Sequence, residues 1–392
     1  MYRLVGLAVF AAAVYVSCYQ PNFHDCEIAC TAQSGCPDGL SCDMGAGRCA
    51  LNGACASGDG GFKDAAADSS SPCWPYTPTN YMPCAANFPP AQQFPNGATM
   101  IDTGSAGCSY GNGDICLYHY QSVSITTALR VTGPRPLIIV SDQDIDVMAN
   151  VSYDGSVGMA GPSCNAPAVG NAAKLGAGGG GGGYGAPGAP GGAGSGVGAP
   201  AGGSAYGSGS LDPLFPGCPG ATGGSAGSGT TGGDPGKGGG ALELSAKGIV
   251  RIMPGAIVSA DGAGGGPGAG NGSAASGGGG GGTGGAVLLE GAMVNVGGSV
   301  CAVGGGGGEG GPLNGFGSAG GNGSGCTRGT GGSTGVGAGG DGGGTTMPGA
   351  GTPAGSVIAG GGGGGSIGRI RIHGVNGGST TGSTFVPPPV TQ

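Results

Sequence analysis

Four aliphatic segments share one pattern of apolar and polar positions, and tracts made mostly of glycine separate them. They read LIIVSDQDIDVMANVSYDG from Leu137, ALELSAKGIVRIMPGAIVSADG from Ala241, AVLLEGAMVNVGGSVCAVG from Ala286 and SIGRIRIHGVNGG from Ser366. Ile145, Val147, Val151 and Tyr153 in the first correspond to Ile249 or Val250, Ile252, Ile257 or Val258 and Ala260 in the second. In the third the equivalents are Val294, Val296, Val300 and Ala302. Alternation of β-branched side chains with a period of two puts one set inward and the other outward, as in a strand; a helix needs apolar positions three and four apart. The equivalent turns Met148-Ala149-Asn150, Met253-Pro254-Gly255 and Gly297-Gly298-Ser299 hold residues that would interrupt a helix. A unit repeated in this way predicts stacked parallel coils, each burying its inward side chains against the next. The expected fold is therefore all-β, a parallel β-solenoid or β-helix-like spine over residues 131–392.

The glycine-rich insertions, 156–240, 263–285 and 305–365, leave the repeat at one equivalent corner: after Tyr153-Asp154-Gly155, Ala260-Asp261-Gly262 and Ala302-Val303-Gly304. Glycine supplies 106 of 392 residues, a share that without a fixed period ordinarily marks disorder. Charged residues are only 8%, however, far below the level that keeps disordered chains solvated. No Gly-X-Y triplet is sustained, which excludes collagen. Extended glycine strands without Cβ atoms can approach closely enough for interstrand N–H to C=O bonds. Two expectations stay open: polyglycine II-like packing of the insertions, or flexible loops hung from an ordered spine.

The N-terminal residues have another character. Arg3 is followed by the apolar stretch Leu4–Val16, which has signal-peptide length and is too short to span a bilayer. Tyr15-Val16-Ser17-Cys18 resembles a bacterial lipobox, although Tyr15 stands where leucine is usual. Residues 1–17 are thus expected to be a signal peptide and Cys18 the lipidation site; the alternative is an ordinary secretory signal. With Cys18 set aside, fourteen of the fifteen cysteines remain as disulfide candidates. Cys26, Cys30, Cys36, Cys42, Cys49 and Cys55 crowd a stretch with almost no aliphatic core, so residues 18–57 are read as a disulfide-rich stalk module. Their spacings do not match zinc sites, and His24 nearby is read as solvated. Residues 58–72 form a polar linker. Cys73, Cys84, Cys108 and Cys116 lie among Trp74, Tyr76, Tyr81, Phe88, Phe94, Tyr110, Tyr118 and Tyr120, so 73–130 is expected to be an aromatic, disulfide-bonded cap over the first coil. Cys164, Cys218, Cys301 and Cys326 complete the fourteen.

Candidate chemistry is sparse. His119 near Asp114 lacks a nucleophile placed by any recognisable elbow. The glycine runs match dinucleotide fingerprints trivially, outside any βαβ context. Asp142, Asp144 and Asp146 alternate on one side of a strand and are weak calcium candidates, or carboxylates for carbohydrate cleavage. Glu243 and Glu290 stand singly in their segments, and Arg251, Arg369 and Arg371 are scattered. No catalytic, cofactor-binding or firm metal site is expected. A net charge of −8 argues against nucleic acid as a partner.

The Cys36-Pro37-Asp38-Gly39-Leu40-Ser41-Cys42 module, the GGGGG tracts and the Gly284–Glu290 strand GGAVLLE together resemble the glycine-rich surface lipoproteins of myxobacteria and related predatory bacteria. The tracts also resemble polyglycine-helix bundles of phage tail adhesins and of a receptor kinase ectodomain, which implies recognition surfaces without a transferable site. The expected function is a lipid-anchored scaffold or adhesin at a bacterial outer membrane or cell surface, otherwise secreted, with the membrane and cell-surface components such as glycans as partners. The alternatives are a polysaccharide-acting β-helix enzyme and, from the resemblance of such bundles to an insect antifreeze protein, an ice- or water-ordering binder.

Overall fold

The computed structural model describes Cys36, residues 41–43 and 48–50, and residues 73–391 apart from 86–87, 106–107, 109, 111–112, 154–163, 165–166 and 227–229. The chain divides into two compact units, residues 1–72 and 73–392. In the first, Ser41–Asp43 and Arg48–Ala50 pair antiparallel, and Cys36 is bonded to Cys49. Residues 1–17, expected to be a signal peptide, Cys18, His24, Cys26, Cys30, Cys55 and residues 58–72, expected to be a linker, lie outside the described residues; Cys42 sits opposite Cys49 in the hairpin.

The second unit is all-β, with no helix among the described residues. Most of its strands form two open sheets whose pairings are all parallel; Ala269–Asn271 and Asn314–Phe316 make a separate antiparallel pair. The nine-stranded sheet runs Val390–Thr391, Arg369–Gly374, Ala286–Val296, Ala241–Ile252, Leu137–Ser141, Cys116–Tyr120, with Gly378–Ser379, Ile145–Val147 and Val123–Ile125 attached beside this path. The six-stranded sheet runs Thr384–Val386, Ser299–Cys301, Ile257–Ser259, Val151–Ser152, Leu129–Thr132, Met100–Asp102. Val250 pairs with Ile145 on one side and Val294 on the other, and Val258 with Val151 and Val300, so equivalent positions of the segments lie side by side. The dry interior between the sheets holds Leu137, Ile139, Leu244, Leu289, Ile252, Val258 and Val300. Every residue of Leu137–Ser141 is buried, because the outer face of that sheet is covered as well, by Trp74, Tyr81, Tyr184, Leu211 and Leu214.

The parallel β-solenoid expected from the repeat is not what the chain forms. The sheets are open, no barrel closes, and much of residues 164–368 belongs to neither sheet. In a solenoid each coil passes directly to the next; here the glycine-rich excursions between coils bond to one another and make a second body. Nor is 73–130 a cap over one end. Met100–Asp102, Cys116–Tyr120, Val123–Ile125 and Leu129–Thr132 are strands within the sheets, while the chain from Cys73 to Tyr81 lies across the flank of the larger one.

The glycine body has a three-residue repeat, legible along Gly277–Gly285. The N–H groups of Gly277, Gly280 and Thr283 donate to the carbonyls of Gly224, Ala221 and Cys218. Those of Gly278, Gly281 and Gly284 donate to Gly360, Gly363 and Ser366, and those of Gly279, Gly282 and Gly285 to Gly266, Ala263 and Ala260. In return the carbonyls of Gly277, Gly280 and Thr283 accept from Gly233, Gly236 and Gly239, those of Gly278 and Gly281 from Gly179 and Gly182, and those of Gly279 and Gly282 from Gly308 and Gly305. One extended segment, three residues per turn as in polyproline II, is thus bonded to six neighbours at 2.7 to 3.0 Å. A Cβ on Gly280 would stand 2.0 Å from the Gly180 carbonyl oxygen, and one on Gly362 1.9 Å from that of Gly279. Pure glycine runs therefore occupy the middle of the bundle. Towards its surface other residues return: Pro187 and Pro190, which lack an N–H to donate, are exposed.

Four disulfides lie in this unit: Cys73–Cys84, Cys108–Cys116, Cys164–Cys218 and Cys301–Cys326. Cys164–Cys218 closes a loop within the first glycine-rich insertion, and Cys301–Cys326 joins the third insertion to a sheet strand.

Gly280→Ala must displace a backbone neighbour and is expected to lower unfolding free energy by about 3 kcal/mol or more. Gly198→Ala, at an exposed position with nothing within 4 Å of the added methyl, should change it by less than about 0.5 kcal/mol. Urea unfolding of the two variants under oxidising conditions measures the contrast.

Candidate functional site

The outer face of the nine-stranded sheet carries a buried polar cluster. Parallel register sets Ser245, Glu290 and His373 in one row and Glu243, Leu288 and Arg371 in the row beside it. The segment Trp74–Tyr81 covers both rows. Thr79 donates its N–H to Glu290 Oε2 at 3.0 Å and its hydroxyl to Oε1. Asn80 Nδ2 donates to Glu243 Oε2 at 2.9 Å, and Arg371 Nη1 donates to the Thr79 hydroxyl at 3.1 Å. Tyr81 donates to Ser245 Oγ at 2.8 Å, Tyr76 donates to the Ala246 carbonyl at 3.0 Å, and Trp74 stands edge-on to both tyrosine rings. His373 Nδ1 is 3.3 Å from Glu290 Oε1.

Glu243 and Glu290 have no exposed surface. Burial, then the neighbouring Glu290, pushes the Glu243 carboxyl well above its usual range, and Asn80 and Arg371 only partly oppose this. Burial likewise raises the Tyr76 and Tyr81 hydroxyls. Two adjoining carboxyls in unlike surroundings are the ingredients of acid–base catalysis. Here both lie beneath an aromatic cover and their hydrogen bonds run to that cover, so the cluster fastens Trp74–Tyr81 to the sheet. Glu243, Glu290 and Arg371, single and far apart along the chain, are gathered by register, whereas Arg251 and Arg369 bond elsewhere. The one sequence signal was a glutamate inside each of two runs that are otherwise apolar on both faces.

The aspartates at 142, 144 and 146 do not converge. Arg251 Nη1 bridges Asp144 and Asp146 at 2.9 Å each, Asp144 also accepts from the Ile249 N–H at 2.8 Å, and Asp142 pairs with His119 Nε2 at 3.0 Å. Among the described residues no group of three or more histidine, cysteine, aspartate or glutamate side chains is placed to hold a metal ion. Ten of the fourteen candidate disulfide cysteines are paired, as described above.

A cleft of about 380 Å³ opens on the outer face of the six-stranded sheet. Arg130, Ser152 and Ser259 are direct partners across three strands, and Asn150 and Ile257 lie one row away. Asp261 closes one side: its carboxylate accepts from the Val303 N–H at 2.9 Å and from the Gly325 N–H at 3.0 Å. The turn Ser324–Thr327, tied to the sheet by Cys301–Cys326, forms the wall. Its signal in the sequence was the shared Val-Ser-x-Asp of Val151–Asp154 and Val258–Asp261.

No protein-family model, curated protein or solved structure matches the chain.

Glu243 gives a pH signature. Its folded value lies above the unfolded value of 4.5, so over the interval between them the unfolded chain releases a proton that the folded chain keeps, and stability falls as pH rises. Glu243→Gln preserves an acceptor for Asn80 and cannot ionise. Urea unfolding at about pH 4 and pH 7 should show a smaller loss across that interval, and higher stability at pH 7, than the parent protein.

Proposed function

We propose that the protein is an extracellular scaffold with an adhesive role, held by a lipid on Cys18 at a bacterial outer membrane or cell surface. The observation that carries this reading is the glycine body: a large volume of chain held by backbone hydrogen bonds, cross-linked within its first insertion by Cys164–Cys218 and tied to a sheet strand by Cys301–Cys326. Such a body has almost no titratable or nucleophilic side chains. Its stability comes from main-chain bonds and cross-links, which suits a load-bearing surface element in an oxidising compartment. The net charge of −8 favours neither nucleic acid nor anionic lipid as a ligand. A polysaccharide-acting enzyme is the weaker reading, since among the described residues the adjoining buried acids Glu243 and Glu290 are spent on the Trp74–Tyr81 cover.

Deletion of the gene in the source organism should reduce surface adhesion or envelope integrity under shear; a strain unchanged in both overturns the reading. Cys18→Ser should move the protein from the membrane fraction to the soluble one, measured by fractionation and by mass spectrometry of the mature N-terminus.

A further inference from the structure

We propose that Cys73–Cys84 is a load clasp: it makes the segment Trp74–Tyr81 bear tension from the N-terminal unit on all of its contacts together instead of one after another. The inference deepens the scaffold reading, which supplies the tension; the clasp itself is argued from connectivity and contacts. The chain passes from the first compact unit to the second at Pro72–Cys73, so a pull transmitted from residues 1–72 enters the sheet-bearing unit at Cys73. The residues that follow at once are those that cover the outer face of the nine-stranded sheet.

Tension along a chain acts first on the contact nearest its point of entry. Without a cross-link it would lift Trp74 away from the Tyr76 and Tyr81 rings, then reach the Tyr76 hydroxyl bond to the Ala246 carbonyl, and only then Thr79, Asn80 and Tyr81. Each contact would carry the whole pull alone, and its loss would pass the pull to the next. The disulfide changes this route. Cys73 and Cys84 are 11 positions apart in sequence with their Cα atoms 5.9 Å apart, so the segment starts and ends at nearly one point. Cys73 cannot rise unless Cys84 rises with it. The pull is thereby shared between the Trp74 end and the Tyr81 end, and the bonds of Tyr76 to Ala246, Thr79 to Glu290, Asn80 to Glu243 and Tyr81 to Ser245 bear it in parallel. Asn80 adds two bonds to the chain beside it, donating to the Leu211 carbonyl at 3.1 Å and accepting from the Leu214 N–H at 3.0 Å. Past Cys84 the chain is held again, where Gln92 donates its N–H to the His119 carbonyl and accepts the Gln121 N–H, both at 2.8 Å.

Two observations set this bond apart from the other three in the unit. Cys73 and Cys84 are both exposed, whereas Cys108, Cys116, Cys218 and Cys301 are fully buried, so each of the other bonds has at least one end inside. The loop is also short: stabilisation through chain entropy grows with loop length, so bridging 11 positions stabilises the folded chain less than bridging 25 or 54. The segment is already seated by its hydrogen bonds and by the burial of Trp74 and Tyr81. A surface bond around a seated segment adds little at rest and acts when one end is pulled.

The test stretches the full, oxidised chain between handles at its two ends in optical tweezers and compares it with Cys73→Ser/Cys84→Ser. The variant is expected to show an early, low-force step that the parent lacks. Its gain in contour length should be about 30–35 Å, since 11 extended residues span at most about 36–40 Å and the same ends start 5.9 Å apart. At zero load the emission of Trp74, the single tryptophan of the chain, should be the same in both proteins, which shows the segment seated without the clasp. Where the double variant does not fold, the folded parent after mild reduction, with alkylation confined to Cys73 and Cys84 by mass spectrometry, supplies the same comparison. The proposal is overturned if the two sets of traces coincide, or if Trp74 emission without load shifts to that of a solvent-exposed ring, because the bond then serves only to seat the segment. Adhesion lost on gene deletion with coincident traces would leave the scaffold reading standing and remove this one; differing traces with unchanged adhesion would do the reverse.

Discussion

Backbone hydrogen bonding between extended segments that carry no Cβ is the constraint on which the structure depends. With three residues per turn, successive N–H groups of Gly277–Gly285 point in three directions, and successive carbonyls do the same, so each segment needs neighbours on all sides. Carbonyl oxygens of those neighbours sit about where a methyl group would be. Glycine is required at the most crowded positions inside, such as Gly280 and Gly362, and every ordered glycine carries an entropic cost of about 1–2 kcal/mol. A single such segment has no reason to order. A bundle in which every donor finds an acceptor does, because buried main-chain groups left unpaired would cost more.

The two sheets make that bundle possible. Their valine, isoleucine and leucine interior fixes where each insertion leaves and returns: Gly240 donates to the Tyr153 carbonyl, Ala286 to Gly240, and Gly285 to Ala260, so ladder bonds of the sheets pass directly into those of the glycine body. Tyr153 sits at this junction with its ring against Gly240 and its hydroxyl 3.0 Å from that of Thr103. The Glu243–Glu290–Arg371 cluster works on the outer face of the larger sheet, where it holds the aromatic cover that keeps that face dry. Polar side chains thus hold one segment against another at that cover, while those around the Asp261 cleft and the Arg251–Asp144–Asp146 group face outward.

Much of the sheet register was legible because the alternation of Ile145 and Val147, Ile252, Val294 and Val296 has the period of a strand and is repeated. The arrangement beyond register was not. A repeat of aliphatic strands implies a solenoid only if nothing competes for the connections, and the sequence of an insertion does not say whether its glycines bond to each other or to water. The purity of the runs was the available clue: Gly278–Gly282, Gly304–Gly308 and Gly360–Gly365 allow no side chain where all sides are crowded, while Pro187 and Pro190 stand where one side is open. The gathering of Glu243, Glu290, Arg371 and His373 was hidden by sequence separation, since the last of them comes 130 positions after the first. Ser152 and Ser259 were visible as equivalents, but polar residues on the outward positions of strands ordinarily mean only a wet face; the wall built by the distant Cys301–Cys326 bond is what turns that face into a cleft.

Amide hydrogen exchange on the oxidised full chain, read by mass spectrometry, tests the bundle most directly. If the glycine segments are bonded on every side, peptides covering 277–285, 304–310 and 359–366 will be protected to nearly the same degree as the Ala241–Ile252 strand. Exchange of those peptides at the rate of free loops, while the strand stays protected, would contradict it.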